Sequence, residues 1–411
     1  MPFIADTGQA HAPFWRRAVI RLSASWPTPL IVPESLRDLT LARQWVWFPE
    51  LFVHVADRTA PPTGYGFSLG ETWALARYLG AISGTADFSL TRPWDDLDSH
   101  QKTILSDDWG VGMASLIATA VFQPSRIANT GDWLRHSAGV ATAYREPRKR
   151  GPSKSPDFVF EDAQGRFHLV EAKGTQGSLR ALEGQLNDGR EQKCNIRFHQ
   201  SGVEGVRLVM GTRVPLEGDG RLEVVVGDPP LDVELPESRD RARTWLRRVA
   251  LAGACRAAGL PTWASALMDV EGFRGPLRDG AARELRVRTL RDRGPDELVG
   301  RETVLILPDP LEGRGREWLL ELGMPAPLLH ALLESPDLDA TVAELPVKAD
   351  RVSALPQIGK DEIISESPDL DATIAELPVE ADQVSALPQI GEDEIISAST
   401  PNSLYFRMRE L

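Results

Sequence analysis

The sequence predicts a multidomain α/β protein whose centre is a mixed β-sheet flanked by helices, with an N-terminal accessory domain and a C-terminal helical and repeat extension. Three observations carry this expectation. The chain has 411 residues, too many for one ordinary domain, and 42% of them are hydrophobic, enough for a sizeable core. Between 109 and 226 the apolar patterning runs helix, strand, strand, helix, strand. From 334 onward the composition turns acidic and repeats itself. The implied units are 1–100 (accessory), 101–235 (central), 236–333 (helical and mixed), 334–397 (repeats) and 398–411 (tail).

Taken in order, 1–100 is rich in tryptophan and proline, with strand-like pieces at 45–48 (WVWF) and 51–55 (LFVHV) and a helix at 71–79 (ETWALARYL). Ser106, Asp107 and Asp108 read as an N-cap and acidic first turn for an apolar helix over 109–122. Residues 155–161 (SPDFVFE) are β-prone, 162–165 (DAQG) carries turn chemistry, and 166–172 (RFHLVEA) is β-prone again, which signals a hairpin. A polar helical stretch follows at 178–197, then strands at 206–214 and 222–226. Residues 239–268 form a long helical region, and 270–333 is mixed.

Charge is unevenly spread. The whole chain carries −13, yet 334–411 alone holds 17 acidic and 5 basic residues, leaving 1–333 close to neutral. The acidic total therefore says nothing against a body that touches phosphate. Two cysteines, Cys194 and Cys255, exclude a disulfide framework and suit a reducing cytoplasm. The first residues lack the basic and apolar pattern of a secretory signal, and no run approaches ~18 uninterrupted apolar residues, so no membrane association is expected.

The repeat is 32 residues long. Segments 334–365 and 366–397 agree at 28 of 32 positions and differ only at 342/374, 348/380, 351/383 and 360/392. A proline every ten residues within each copy permits only short helical or extended pieces. Two copies are fewer than a solenoid needs. Two readings stay open: a weakly ordered acidic arm, and a module that docks a protein partner.

Bare short motifs are weak here. Pro-Asp occurs five times, and an acid-x-Lys triplet occurs at both Glu171–Lys173 and Glu191–Lys193. Only one combination puts both on neighbouring strands. With the turn centred on residue 164, Asp157 lies directly across from Glu171 and shares its sheet face. Lys173, two residues on, shares that face too, while Phe158, Phe160, Val170 and Ala172 form an apolar opposite face. A one-residue slip would destroy the convergence. His168 falls on the face away from the carboxylates.

The stretch Pro156-Asp157 … Glu171-Ala172-Lys173, in its helix–strand–strand–helix–strand setting, resembles the PD-(D/E)xK, or restriction-endonuclease-like, nuclease superfamily over some 100–130 residues. The resemblance implies a restriction-endonuclease-like core at 101–235. It implies Asp157 and Glu171 as ligands of a divalent metal, joined by the backbone carbonyl of Ala172. Lys173 would then orient the attacking water and stabilise charge on the phosphate. The cofactor would be Mg²⁺, with Mn²⁺ as a substitute, and the substrate a nucleic acid, DNA first. Phosphodiester hydrolysis needs a nucleophile at neutral pH and compensation for growing negative charge, and a hard oxygen-ligated cation supplies both. The family often sets a polar helper on the following helix; Gln192 is the choice here, with Gln185 on about the same face. Many members take an acid from the preceding helix. Asp107 or Asp108 would serve, although helix capping explains them equally well. Arg145, Arg148, Lys149, Arg150 and Lys154 precede the first strand and suit backbone phosphates, and a solvated basic loop is the plain alternative.

Competing signals are fewer. Gly66, Ser68 and Gly70 match the G-x-S-x-G elbow of serine hydrolases, but 57–64 (DRTAPPTG) breaks the strand that the elbow requires, and Ser68 with Glu71 makes a good capping box. The seven histidines are scattered and no CxxC is present, which argues against zinc. The expectation is a Mg²⁺-dependent nuclease of restriction, repair or anti-phage defence. A nuclease-fold nucleic-acid binder or adaptor without turnover, and a serine hydrolase using Ser68, are the alternatives.

Overall fold

The computed structural model describes residues 3–5, 15–22, 33–40, 44–59, 80–136, 141–143, 155–193, 196–198, 204–227, 239–287, 290, 297–308, 315–345 and 396–410. In chain order the elements are β1 (Phe3–Ala5), β2 (Trp15–Leu22), α1 (Glu34–Thr40), β3 (Gln44–Trp47), α2 (Phe48–Thr59), α3 (Ser99–Phe122), β4 (Ile127–Asn129) and α4 (Thr130–His136). Then come β5 (Ala141–Ala143), β6 (Phe158–Glu161), β7 (Phe167–Thr175), α5 (Leu179–Lys193), β8 (Ile196–Phe198), β9 (Glu204–Arg213) and β10 (Leu222–Gly227). The C-terminal part holds α6 (Arg239–Ala257), α7 (Pro261–Met268), α8 (Gly275–Val287), β11 (Leu298–Pro308), β12 (Gly315–Pro325), α9 (Ala326–Glu334), α10 (Leu338–Glu344), β13 (Ile396–Ser399) and β14 (Tyr405–Glu410).

The fold is mixed α/β. An eight-stranded sheet runs β1-β3-β2-β10-β9-β7-β6-β4, and a four-stranded sheet runs β11-β12-β14-β13. The expected hairpin forms at the expected register: Phe158 pairs with Val170, Val159 with Leu169, Phe160 with His168 and Glu161 with Phe167. Its turn is closed by Gly165 N–H donating to the Asp162 carbonyl at 2.9 Å, with Gly165 at φ 74°, a left-handed conformation that glycine adopts without strain. The Asp162 carboxylate accepts from the backbone N–H of Gln164 and of Arg166, both at 2.9 Å. β7 then runs parallel to β9, a pairing that needs a crossover, and α5 supplies it, with the Ser178 hydroxyl accepting from Ala181 N–H at its start.

The pleat sorts the core into two layers. Phe158, Phe160, Val170 and Ala172 join the large cluster that includes Met113 and Ile117 of α3. Val159, Phe167 and Leu169, on the opposite face, pack with Trp133 of α4 and with Ala242, Trp245, Leu246 and Val249 of α6. Burying each such aromatic or aliphatic side chain contributes about 1.5–3 kcal/mol, so both layers resist sheet separation. His168 lies on the α3 side as expected, stacked on Phe160 at 4.7 Å between ring centroids, with Asp162 2.9 Å from its Nε2.

Several expectations are corrected. Residues 1–100 do not stand apart: β1, β3 and β2 extend the central sheet, and β2 pairs in parallel with β10. The 51–55 run is helix, not strand. It belongs to α2, where Leu51 to Asp57 are all buried, and five mostly apolar residues are too short a run to tell a buried helix from a strand. Ser106, Asp107 and Asp108 do not cap α3, which begins seven residues earlier. Asp98 caps it instead, accepting from His100 and Gln101 N–H at 2.9 and 3.1 Å. The long helix of 239–268 breaks into α6 and α7 at Gly259, φ 75°, followed by Pro261. The terminal tail is β14, paired along β12. The expected helix at 71–79 and the repeat from 346 to 395 lie outside the described residues. No helix among the described residues is long and apolar enough to cross a membrane.

Candidate active site

The site sits where the hairpin ends. β6 begins at Phe158, so beyond Val170 the β7 backbone has no β6 partner on that edge. Asp157 occupies the edge: its Oδ2 accepts from Ala172 N–H at 2.7 Å, and its carbonyl accepts from Thr130 N–H at 3.2 Å. A strand residue points its N–H and its C=O to the same side, so the Ala172 carbonyl shares this edge with the Asp157 carboxylate. Glu171 is fully buried at the base, and its Oε1 accepts a hydrogen bond from Lys173 Nζ. The Lys173 side chain keeps 21% exposure, and Asp157 is half-buried, so the cluster grades from a dry floor to a wet rim.

Asp107 completes the rim. α3 crosses β7 closely because two glycines remove side chains at the contact. A Cβ on Gly174 would come within 1.7 Å of the Ser106 carbonyl oxygen, and one on Gly110 within 2.9 Å of the Lys173 carbonyl carbon. This approach sets the Asp107 carboxylate to accept from Gly174 N–H and within electrostatic reach of Lys173 and Asp157. Since α3 is capped at Asp98, capping does not account for Asp107. A third glycine, Gly189 of α5, faces the site from above; a Cβ there would lie 3.2 Å from Glu171 Cγ and 3.6 Å from Lys173 Cε.

The protonation equilibria reflect this crowding. Burial raises the Asp157 carboxyl above its usual range, and repulsion from Asp107 adds to the rise, outweighing the Ala172 hydrogen bond and the Lys173 charge. Asp107 is also raised by burial, against the pull of Lys173. Burial opposes the Lys173 ammonium, but Glu171, Asp157 and Asp107 together hold its pKa above the ordinary lysine value.

The structure thus brings Asp157, Glu171, Lys173 and Ala172 together, and adds Asp107. Gln192 falls within α5, but its side chain lies outside the described residues. Gln185, one helical turn before Gly189, has its Oε1 buried with no hydrogen-bond partner among the described residues. Arg148, Lys149, Arg150, Lys154 and Ser68 lie outside the described residues. Sequence reasoning passed over the glycine contacts; their only trace in the sequence is Gly174 directly after Lys173.

Could these residues hold a divalent cation? The candidate donors are the Asp157 carboxylate and the Ala172 carbonyl at the open strand edge and the Glu171 carboxylate at the buried floor, hard oxygens of the kind that Mg²⁺ takes. A bound cation would offset both the burial that raises the Asp157 carboxyl and the smaller repulsion from Asp107. Among the described residues no group of three His, Cys, Asp or Glu side chains is already gathered as a metal cluster. The fit therefore rests on two side chains, one main-chain oxygen and Lys173, the cation that now neutralises Glu171. No protein-family model, no curated protein and no solved structure matches this chain.

Proposed function

We propose that the chain is a metal-dependent nuclease with a restriction-endonuclease-like core, hydrolysing phosphodiester bonds, DNA before RNA, in a cytoplasmic setting of restriction, repair or defence. One observation carries the reading. The Asp162–Gly165 turn fixes a hairpin register in which β6 stops at Phe158, and just beyond that end the Asp157 carboxylate accepts from the N–H of Ala172, the residue between Glu171 and Lys173.

Asp157, Glu171 and the Ala172 carbonyl would hold Mg²⁺ or Mn²⁺, which when bound supplies a nucleophilic water at neutral pH and charge compensation for the phosphate. Lys173 carries a proton through the working pH range and keeps enough exposure to reach a phosphate oxygen. Its positive charge stabilises the negative charge that builds during attack. Glu171 orients that ammonium from the buried floor. Asp107 acts at the rim, where it raises the cation demand of the cluster. The glycines at 110, 174 and 189 let the helices close over the strand and exclude water from the floor.

The test is cleavage of plasmid and single-stranded DNA by the purified chain across divalent metals, beside Lys173→Ala. Cleavage by the parent with Mg²⁺ or Mn²⁺, stopped by chelator and lost in the variant, is expected. Equal cleavage by both proteins would remove Lys173 from the mechanism, and binding without cleavage by either would make the chain a nucleic-acid binder.

A further inference from the structure

The first acidic repeat is anchored on the body of the protein at its start. Asp337 caps α10, accepting from Ala340 N–H at 3.0 Å, and Ser335 and Thr341 share a hydrogen bond at 2.7 Å. Val342 is wholly buried, and Leu338 packs beside it. Two arginines of α6 form the cradle. Arg247 donates to the carbonyls of Val342 and Ala343, which belong to the last turn of α10 and have no partner inside the helix. Arg248 lies over the Trp245 ring at 4.4 Å and donates to the Leu267 carbonyl and to the Asp339 carboxylate, each at 2.7 Å. Arg248 is held by Trp245 and by the Leu267 and Asp269 carbonyls independently of α10, so that half of the cradle is fixed by the body.

The second repeat carries the same key. Ser367, Asp369, Leu370, Asp371, Thr373, Ala375 and Leu377 repeat Ser335, Asp337, Leu338, Asp339, Thr341, Ala343 and Leu345, and Ile374 stands in place of Val342. Of the four positions that differ between copies, Val342 is the one that lies among the described residues, where it is buried in the cradle, and its replacement by isoleucine adds one methylene. The other three alter charge: Lys348, Arg351 and Lys360 become Glu380, Gln383 and Glu392. However the duplication arose, the chain holds two segments of nearly the same sequence and one cradle.

We infer that the Arg247–Arg248 cradle is an exchangeable docking surface, and that its second occupant is segment 369–377 of the same chain. The chain is long enough for the exchange. With 369–377 docked, residues 378–395 must reach β13, and 18 extended residues span about 60 Å. A body of roughly 300 residues has a radius of gyration near 20 Å, so the reach suffices. The exchange moves the less acidic copy to the N-terminal side of the anchor and shortens the arm beyond it by 32 residues. It would thereby change how much acidic chain lies between the anchor and β13.

Hydrogen exchange read by mass spectrometry on the full chain tests this, since the Val/Ile difference separates the two repeat peptides. In Val342→Asp, which blocks the first key, protection should leave 338–344 and appear in 370–376, with the melting temperature within about 2 °C of the parent. Val342→Asp with Ile374→Asp should protect neither segment and melt roughly 6 °C or more lower, since ~1 kcal/mol corresponds to 2–4 °C in larger domains. Ile374→Asp alone should leave 338–344 protected. Loss at 338–344 in Val342→Asp without any gain at 370–376 would overturn the proposal. So would a gain that grows with protein concentration, which would place the second key on another molecule.

Discussion

The two ends of one hairpin treat their carboxylates in opposite ways. At the turn, Asp162 is buried, which alone would raise its pKa, but hydrogen bonds from His168 and from the Arg166 backbone and side chain more than offset this and hold it well below the usual carboxylate range. Its neighbours supply the groups it needs. At the open end, Asp157 has one backbone hydrogen bond, a lysine shared with two other acids, and a raised pKa. The turn carboxylate stabilises the fold as an anion; the edge carboxylate is held at a cost. A strained charge cluster beside a fully satisfied one on the same two strands is the pattern of a working site built on a rigid support.

Four changes sharpen or break that contrast. The largest effect belongs to Lys173→Ala, which should lower cleavage by about 10²–10³-fold, the scale of losing one preorganised charge partner; gel assays under Mg²⁺ and Mn²⁺ measure it. Next is Gly174→Ala. The new methyl would meet the Ser106 carbonyl oxygen at 1.7 Å, so α3 must back away from β7. A loss of about 3 kcal/mol in urea unfolding is expected, the upper end of ordinary overpacking.

The two aspartates give smaller effects of opposite sign. Asp162 has a depressed folded pKa, so its stabilisation is present above the unfolded value near 3.9 and fades as pH falls through the folded value. Asp162→Asn should therefore destabilise the protein at neutral pH, with the gap to the parent closing on acidification below about pH 4. Asp157 has a raised folded pKa, so its ionisation works against folding as pH rises through the unfolded and folded values. Asp157→Asn keeps an acceptor for Ala172 N–H and should melt at or slightly above the parent temperature at pH 7, converging with it in acid. Thermal melts from pH 3 to 8 check both signs.

How much of this was legible in the sequence depends on how local the determinant is. The hairpin register follows from a turn of four residues and a strict alternation, so Asp157, Glu171 and Lys173 could be aligned on paper. Helix α2 could not, because a five-residue apolar run such as 51–55 fits a buried helix and a strand equally well. α3 starts ten residues before the 109–122 helix that the apolar pattern predicts, because its first two turns, from Ser99 to Leu105, carry little of that pattern and Asp98 is a single-residue signal. Pairing of β2 with β10 and of β14 with β12 joins segments far apart in sequence and leaves no local mark. Asn402 illustrates this: its side chain accepts from Ile127 N–H and donates to the Ile127 carbonyl, finishing the β4 edge from 275 residues away. Asp107 was visible as a residue but not as a site member, because only the glycine contacts at 110 and 174 bring α3 to it.

The most direct measurement is calorimetric titration of Mn²⁺ into the purified full chain and into Asp157→Asn, at a pH where both are folded. Saturable binding to the parent that is lost or weakened at least tenfold in the variant is the expected result. Equal affinity in the two proteins would contradict the account, because the open edge of β7 would then not be where the cation sits.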